Sequence, residues 1–392
     1  MTASTYKPPD YYLMDELLSD EHKMIRSSVR DWVNREVKPI IEEASQLNEP
    51  PTHLMETMGE NGIFGPFIPE KYGGAGLDYI SYGLIMQELE RGDSAIRSAA
   101  SVQSSLVMFP IYIFGSDAQK AQFLPRLAKG ELTGCFGLTE PNHGSDPGNM
   151  ITRIREKGDH FILDGAKLWI TNSSIADIAM VWAKDEKGVV RGLIVEKGME
   201  GFSAPETHDK WSLRASVTGE LVFDGVKIPR KNLLPKAKGL RSPLMCLNSA
   251  RYGIAWGVIG AASECYDTAL RYSLQRKQFD RFIGSFQLQQ KKLAEMLTEI
   301  TKAQLLVWRL GELKNQGKET AQMVSMAKRN NVKMALDIAR EARQIIGAMG
   351  ITSNYPVMRH MMNLESVITY EGTHDIHLLI TGHDITGIQA FK

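Results

Sequence analysis

Residues 160–171 read HFILDGAKLWIT and residues 220–229 read ELVFDGVKIP. Each sets an Asp-Gly pair between runs of β-forming residues. That arrangement is the strongest short-range signal for a two-residue hairpin, because both central residues of such a turn need positive φ. Two more apolar runs, IAMVWAK at 178–184 and VVRGLIVE at 189–196, are joined by a polar loop ending in Gly188. The spacing predicts a small antiparallel β-domain, a barrel or a sandwich, over residues 133–235.

On either side the pattern is helical. Ser19 can cap a helix whose first turn carries Asp20 and Glu21. Ile25, Val29, Trp32, Val33 and Val37 then repeat at helical spacing until Pro39 ends or kinks the run. Further helices are expected around residues 52–61, 79–91 and 118–128, separated by loops such as the one holding Pro66, Pro69, Gly73, Gly74 and Gly76. Beyond the β-region, Leu293, Met296, Leu297, Ile300, Ala303, Val307 and Leu310 mark one long helix closed by Gly317. Val324, Ala327, Met334, Leu336, Ile338 and Ile345 mark another that ends at Gly347. Long helices with short polar connections read as an antiparallel four-helix bundle. The expected architecture is mainly α with a central β-domain: a helical domain over 1–132, the β-domain over 133–235 and a helical bundle over 236–392. Helices, then strands, then helices exclude a doubly wound α/β sheet.

The 392 residues carry 46 Lys and Arg against 46 Asp and Glu. That balance excludes a strongly basic nucleic-acid binder and an acidic disordered tail. The longest apolar stretch, residues 106–114, is interrupted by Pro110 and is too short to span a bilayer. Cys135, Cys246 and Cys265 form no CxxC, which excludes a disulfide framework and a thiolate zinc site. The opening MTASTYKPPDYYLMDE has neither a signal-peptide apolar core nor an Arg-rich, acid-poor character. The expected location is therefore a bacterial cytoplasm or, as a mature form, a mitochondrial matrix.

No GxGxxG, P-loop or GxSxG motif is present, so a Rossmann dinucleotide site, a P-loop and a serine-hydrolase elbow are all excluded. His374 and His377 sit three apart in THDIH, but without a nearby carboxylate ligand set the pair reads as structural and no metal is expected. The loop GLTEPNHGSDPG at 137–148 is rich in groups that can meet a polar ring or a phosphate, or it is an ordinary connection. Trp169 stands two residues before Thr171, so a regular strand would put both on one face. That face is either core or an aromatic wall with a hydroxyl beside a flat cofactor.

Taken together, LTEPNHGSD at 138–146 and KLWITN at 167–172 resemble the flavin-binding signature of the acyl-CoA dehydrogenases, and the helical–β–helical order is similar to that family over nearly the whole chain. The resemblance narrows to the glutaryl-CoA-oxidising branch through ELERGDSAIRSAASVQSSLV at 88–107, CLNSARYGIAWG at 246–257, QKKLAEMLTEIT at 290–301, TYEGTHDIH at 369–377 and the closing TGIQAF. It implies FAD bound between the β-domain and the C-terminal helices. The implied contacts are Phe136, Leu138, Thr139, Gly144 and Ser145, then Trp169, Ile170 and Thr171, with Thr139 at the flavin pyrimidine edge and Thr171 near its N5. Thr373 belongs to the same implied set. Arg276, Gln287, Gln344 and Gly347 are implied to reach the FAD of a neighbouring subunit, which makes a homotetramer the expected assembly.

The same resemblance implies Glu371 as the catalytic base. Between Tyr370 and Gly372, a desolvated carboxylate can be raised toward the working range of a general base, and the Gly372 N–H can hold the thioester carbonyl. For CoA it implies Ser145, Leu244, Leu247, Asn248, Arg251 and Phe391. Arg97, Ser98, Ser101 and Glu90 are implied around a second carboxylate on the acyl group. An arginine at the end of an apolar acyl pocket would be an unpaired buried charge, whereas a dicarboxylyl substrate brings the partner. Glu90 lies seven residues before Arg97, two helical turns, so one helix face is expected to carry both. Ile96 departs from the branch, where an aromatic is expected. The implied reaction is FAD-dependent oxidative decarboxylation of glutaryl-CoA to crotonyl-CoA and carbon dioxide, with electrons passing to electron-transfer flavoprotein. A dehydrogenase that stops before decarboxylation, or that takes a cyclic or short-chain acyl-CoA, is the alternative.

Overall fold

The computed structural model describes residues 10–390. Seven helices come first: α1 (Asp20–Trp32), α2 (Ile41–Leu47), α3 (Leu54–Glu60), α4 (Tyr79–Gly92), α5 (Ser94–Ser101), α6 (Phe109–Phe114) and α7 (Asp117–Ala128). Local chemistry sets several of their ends. Ser19 and His22 form a reciprocal capping box at the start of α1, and Ser116 and Gln119 do the same for α7. A wide helical turn at Val102–Met108 carries α5 into α6.

The strands follow as β1 (Gly134–Gly137), β2 (Arg153–Lys157), β3 (His160–Thr171), β4 (Ile178–Lys184), β5 (Val190–Glu196), β6 (Phe202–Ser203) and β7 (Thr218–Pro229). Their order is β1-β4-β2-β3-β7-β6, with β5 paired to β4. The β4–β5 hairpin lies where its polar loop indicated. The two Asp-Gly pairs do not make hairpins. Both lie inside long strands, β3 and β7, which pair with each other antiparallel. Leu163 faces Val226 and Gly165 faces Phe223, so the two pairs meet across one irregularity. The positive φ of Gly165 (139°) and Gly225 (63°) serves a bulge, and the Gly225 N–H is held by Asp164 Oδ1 at 2.9 Å. The antiparallel expectation also needs amending, because β1 runs parallel to β4.

Alternation along the strands couples the layers. On β4, Met180 and Trp182 join the core shared with the helices, while Val181 and Ala183 join a second core inside the β-domain.

The remaining elements are α8 (Arg241–Gln275), a two-stranded ribbon of β8 (Lys277–Gln278) and β9 (Arg281–Phe282), then α9 (Gln287–Asn315), α10 (Ala321–Ile346), α11 (Val357–Val367) and α12 (His374–Thr386). No helix among the described residues is long and apolar enough to cross a membrane.

Helix α8 packs closely on α4 because glycines remove the intervening side chains. A Cβ on Gly83 would strike the Trp256 ring, one on Gly253 would meet the Tyr82 hydroxyl, and one on Gly260 would strike the Gln87 carbonyl. Gly257 faces Glu90 and Arg97 in the same way. Gly260→Ala should therefore push two helix backbones apart and cost about 1–3 kcal/mol. Gly382→Ala, in a helix with open space around it, should be neutral or stabilise by up to about 1 kcal/mol. Thermal unfolding of the two variants side by side checks this; equal effects would contradict the close approach.

Candidate active site

Helix α11 stops at Val367 and α12 begins at His374, capped by the Thr373 hydroxyl, which accepts from the Ile376 N–H at 3.2 Å. The short loop between them carries Glu371 in the left-handed region, φ 51°, followed by Gly372 at 96°. For a non-glycine residue that conformation costs on the order of 1–3 kcal/mol. It persists because the loop carbonyls are held by cations from two other helices. Lys328 of α10 donates to the Tyr370 carbonyl at 2.9 Å and to the Gly372 carbonyl at 2.8 Å. Arg251 of α8 donates through Nε to the Glu371 carbonyl at 2.6 Å. A Cβ at Gly372 would lie 2.9 Å from His377 Nε2 and 3.1 Å from Arg251 Nη2, so no larger residue fits there. One Glu371 carboxyl oxygen, Oε2, is buried without a hydrogen bond. Burial raises the Glu371 pKa above the ordinary carboxylate value, while Arg97, Arg251 and Lys328 pull it back.

Arg97 on α5 is fully buried. Its Nε donates to Glu90 Oε2 at 2.6 Å, its Nη2 donates to the Tyr370 hydroxyl, and its Nη1 has no partner. The expectation of one helix carrying Glu90 and Arg97 fails. The helix breaks at Asp93, which is extended (φ −166°, ψ 146°) and caps α5 by accepting from the Ala95 N–H at 2.7 Å. The pair meets instead across the junction of α4 and α5, with Gly257 of α8 leaving the space. Ser94 completes it by donating to Glu90 Oε1 at 2.8 Å. Arg97 is thus not the unpaired charge that the sequence suggested. Ser98 and Ser101 are buried on the same short helix.

The charge balance of the cluster remains positive. By formal count three cations, Arg97, Arg251 and Lys328, face two carboxylates, Glu90 and Glu371. Asp93 also accepts from Arg359 and Asn363 of α11, which ties the helix bearing Arg97 to the helix leading into the Glu371 loop.

Leu244, Leu247, Asn248 and Arg251 fall at intervals of three, four and seven along α8, on one face. Leu244 is 38% exposed, Leu247 and Asn248 are half-buried, and Arg251 is 8% exposed. The stripe therefore descends from the surface to the Glu371 loop. Phe391 lies outside the described residues.

On the β-domain, Phe136 and Leu138 are buried, Thr139 is half-buried, and Gly144 and Ser145 are exposed. The Leu168 N–H donates to the Thr139 carbonyl at 2.9 Å and joins the two motif segments. A buried Lys167–Glu140 pair at 2.9 Å anchors the loop, with Glu140 also accepting from the Ile151 and Thr152 N–H groups. Strand β3 is not regular at Trp169. A bulge lies between Lys167 and Ile170, and Trp169 takes φ 62°. Trp169 is nevertheless 60% exposed and Thr171 half-buried, on either side of buried Ile170. The hydroxyls of Thr139 and Thr171 have no protein partner among the described residues. An exposed indole with two unengaged hydroxyls suits a flat polar heteroaromatic ring. Among the described residues no three His, Cys, Asp or Glu side chains gather to hold a metal.

Arg276, Gln287, Gln344 and Gly347 are all exposed and share one end of the bundle. Arg276 follows α8, Gln287 starts α9, and Gln344 and Gly347 close α10, where Lys292 pairs with Glu341 at 2.8 Å. Arg276 is separated from Arg251 by most of α8, roughly 37 Å at the helical rise. These four residues are not beside Glu371 of the same chain.

Residues 19–131, 135–226 and 237–386 match, in turn, the N-terminal, middle and C-terminal domains of acyl-CoA dehydrogenase. The chain belongs to the acyl-CoA dehydrogenase family. An acyl-CoA dehydrogenase of Bacillus subtilis (strain 168) is 36% identical over 94% of this chain and 99% of its own length. A glutaryl-CoA dehydrogenase structure from Mycobacterium smegmatis is 51% identical with a TM-score of 0.95, covering 96% of this chain and 97% of that one. Another glutaryl-CoA dehydrogenase from that organism, solved in complex with FADH2, is 46% identical with a TM-score of 0.97 over 99% and 100% of the two chains.

Sequence reasoning about this acyl-CoA dehydrogenase missed Lys328 and Ser94. Lys328 had a signal: it sits on the stripe of Val324, Ala327, Asn331 and Ala335, a lysine on the buried face of an amphipathic helix. Ser94 had none, since its role depends on where the helix breaks. The Glu90–Arg97 pair yields a direct expectation. Glu90→Gln should cost about 3–5 kcal/mol by leaving a buried guanidinium without its counter-charge. Chemical denaturation reads this, and a loss no larger than that of a surface substitution would contradict the pairing.

Proposed function

We propose that this enzyme oxidises and decarboxylates glutaryl-CoA to crotonyl-CoA and carbon dioxide, using FAD and passing electrons to electron-transfer flavoprotein. The observation that carries the reading is the juxtaposition of Arg97, Tyr370 and Glu371. A buried guanidinium with a free Nη1 shares Tyr370 with the loop that presents a raised carboxylate. The cluster's surplus positive charge suits a second substrate carboxylate. The names of the similar Mycobacterium smegmatis structures support the same substrate.

The acyl chain would enter along Leu244, Leu247 and Asn248 with its thioester against Gly372. Among the described residues the Gly372 N–H has no protein acceptor, and it would donate to the thioester carbonyl as negative charge grows there. Glu371 takes the α-proton. Thr139, Trp169 and Thr171, with Arg276, Gln287, Gln344 and Gly347 of a second subunit, would hold FAD, which would supply the two-electron acceptor for the β-hydrogen. Thr373 caps the helix behind Glu371 and belongs with this set through the loop. In the resulting glutaconyl-CoA, breaking the bond to the terminal carboxylate sends its electron pair into the conjugated thioester. Arg97 and Ser98 orient that carboxylate, and protonated Glu371 returns the proton at the γ-carbon. Sites that draw on two subunits need at least a dimer, and the assembly we propose is the homotetramer.

A second reading has one observation behind it. Because Glu90 already neutralises Arg97, the pair could be purely structural and the acyl group uncharged. Removing Arg97 alone would strand Glu90, so the informative variant is Glu90→Gln with Arg97→Gln. It should lower kcat/KM for glutaryl-CoA by about 10²-fold or more, the worth of a charge-assisted pair, and change butyryl-CoA turnover by less than about tenfold. Equal losses on both substrates would favour the second reading.

Glu371→Gln should keep its flavin and lose about 10²–10⁴-fold in rate. In the wild type, kcat/KM should fall as pH drops through a Glu371 pKa lying above the usual carboxylate value, since only the ionised form accepts the proton. Wild-type turnover by a flavinated Glu371→Gln protein would end the assignment. Arg276→Ala should weaken FAD retention on gel filtration without unfolding the chain, and unaltered retention would remove Arg276 from the cofactor site.

A further inference from the structure

Two cations hold the Glu371 loop, and of these only Arg251 is among the expected CoA contacts. Lys328 is 1% exposed on α10 and is absent from the proposed contacts to substrate and cofactor. Its single nitrogen bridges the carbonyls on either side of Glu371, at 2.9 and 2.8 Å. Together with the Arg251 bond to the Glu371 carbonyl at 2.6 Å, this fixes three consecutive peptide planes. The planes 370–371, 371–372 and 372–373 between them define φ and ψ of both Glu371 and Gly372. Each is pinned through its carbonyl, so neither residue can relax from its left-handed conformation without breaking a charge-assisted hydrogen bond. Turning the Glu371 Cα–Cβ bond away from its present direction requires that relaxation.

We infer that Lys328 is the positioning residue of this active site: its ammonium, seated between the carbonyls on either side of Glu371, locks the catalytic loop in its strained conformation. The inference rests on Glu371 being the base. The groups facing Lys328 are Glu371 and Tyr370 of the loop, Arg97 of α5, Arg251 of α8, and His374 and His377 of α12. Of these only the Glu371 carboxyl offsets the ammonium. Burial and the two arginines pull Lys328 down to about 7. A leucine or methionine of similar length would fill the space more cheaply, which marks the lysine as serving something other than packing.

The test uses the flavinated enzyme and the variants Lys328→Met, Lys328→Gln and Lys328→Arg, with two readouts. The first is hydrogen exchange of the peptide covering residues 369–374, which needs no substrate. Met and Gln should lose about tenfold or more of the loop's protection while the helices keep theirs. The second is the pH profile with glutaryl-CoA or butyryl-CoA, whichever turns over. Met and Gln should lower kcat by about 10-fold or more with a smaller change in KM, and should move the acid limb of kcat/KM to higher pH because the charge that favours ionised Glu371 is gone. Arg keeps the charge but cannot seat one nitrogen between two carbonyls, so it should hold the acid limb in place while still lowering kcat.

Wild-type loop exchange and an unmoved acid limb in Lys328→Met would overturn the proposal. So would failure of Met and Gln to fold alongside a fully active Arg variant, since any buried charge would then suffice. Glu371→Gln assayed in parallel separates the two claims: if it still turns over, the base assignment falls, and the exchange readout judges the lock by itself.

Discussion

The carbonyls of Tyr370, Glu371 and Gly372 point at two buried cations, and the rest of the site is arranged around that grip. Lys328 and Arg251 come from α10 and α8, helices that are neighbours in the bundle. Their positions are fixed by the bundle core, so the loop conformation is inherited from helix packing rather than from the loop's own residues. The same helix α8 meets α4 through glycines, and the space so cleared holds the Glu90–Arg97 pair. Arg97 reaches Tyr370, the residue before Glu371. Arg97 and Glu371 therefore sit on one connected set of polar contacts.

Burying that many charges is tolerable only because they nearly cancel. Burial drives Glu371 toward its neutral form, and three cations drive it back. By formal count the cations still outnumber the carboxylates, three to two. A substrate bringing a second carboxylate would complete the balance, whereas an uncharged acyl chain would leave the surplus buried.

Much of the helical framework was legible from local chemistry. The cap at Ser19, the ends at Gly317 and Gly347 and the β4–β5 hairpin all follow from residues close in sequence. Legibility failed where the deciding partner was distant. Asp164-Gly165 and Asp224-Gly225 each carry the local signature of a turn, but the two segments are better satisfied by each other, and their positive φ went into a bulge. Glu90 and Arg97 were rightly put together for a wrong reason, since Asp93 prefers to end one helix and cap the next. The segments TYEGTHDIH and KLWITN pointed to the loop that carries Glu371 and to Trp169, which is exposed. They did not show that a lysine on a different helix restrains that loop, because its partners are backbone carbonyls and carry no sequence signature of their own.

Product stoichiometry separates a site built for a dicarboxylyl group from a general acyl-CoA site most directly. Flavinated protein mixed anaerobically with glutaryl-CoA and a dye acceptor should bleach its flavin and reduce the dye. It should release one carbon dioxide for each crotonyl-CoA found by mass, and do so faster than it oxidises butyryl-CoA. Preference for butyryl-CoA, or glutaconyl-CoA accumulating without carbon dioxide, would contradict the assignment of Arg97 and the surplus charge to a second carboxylate.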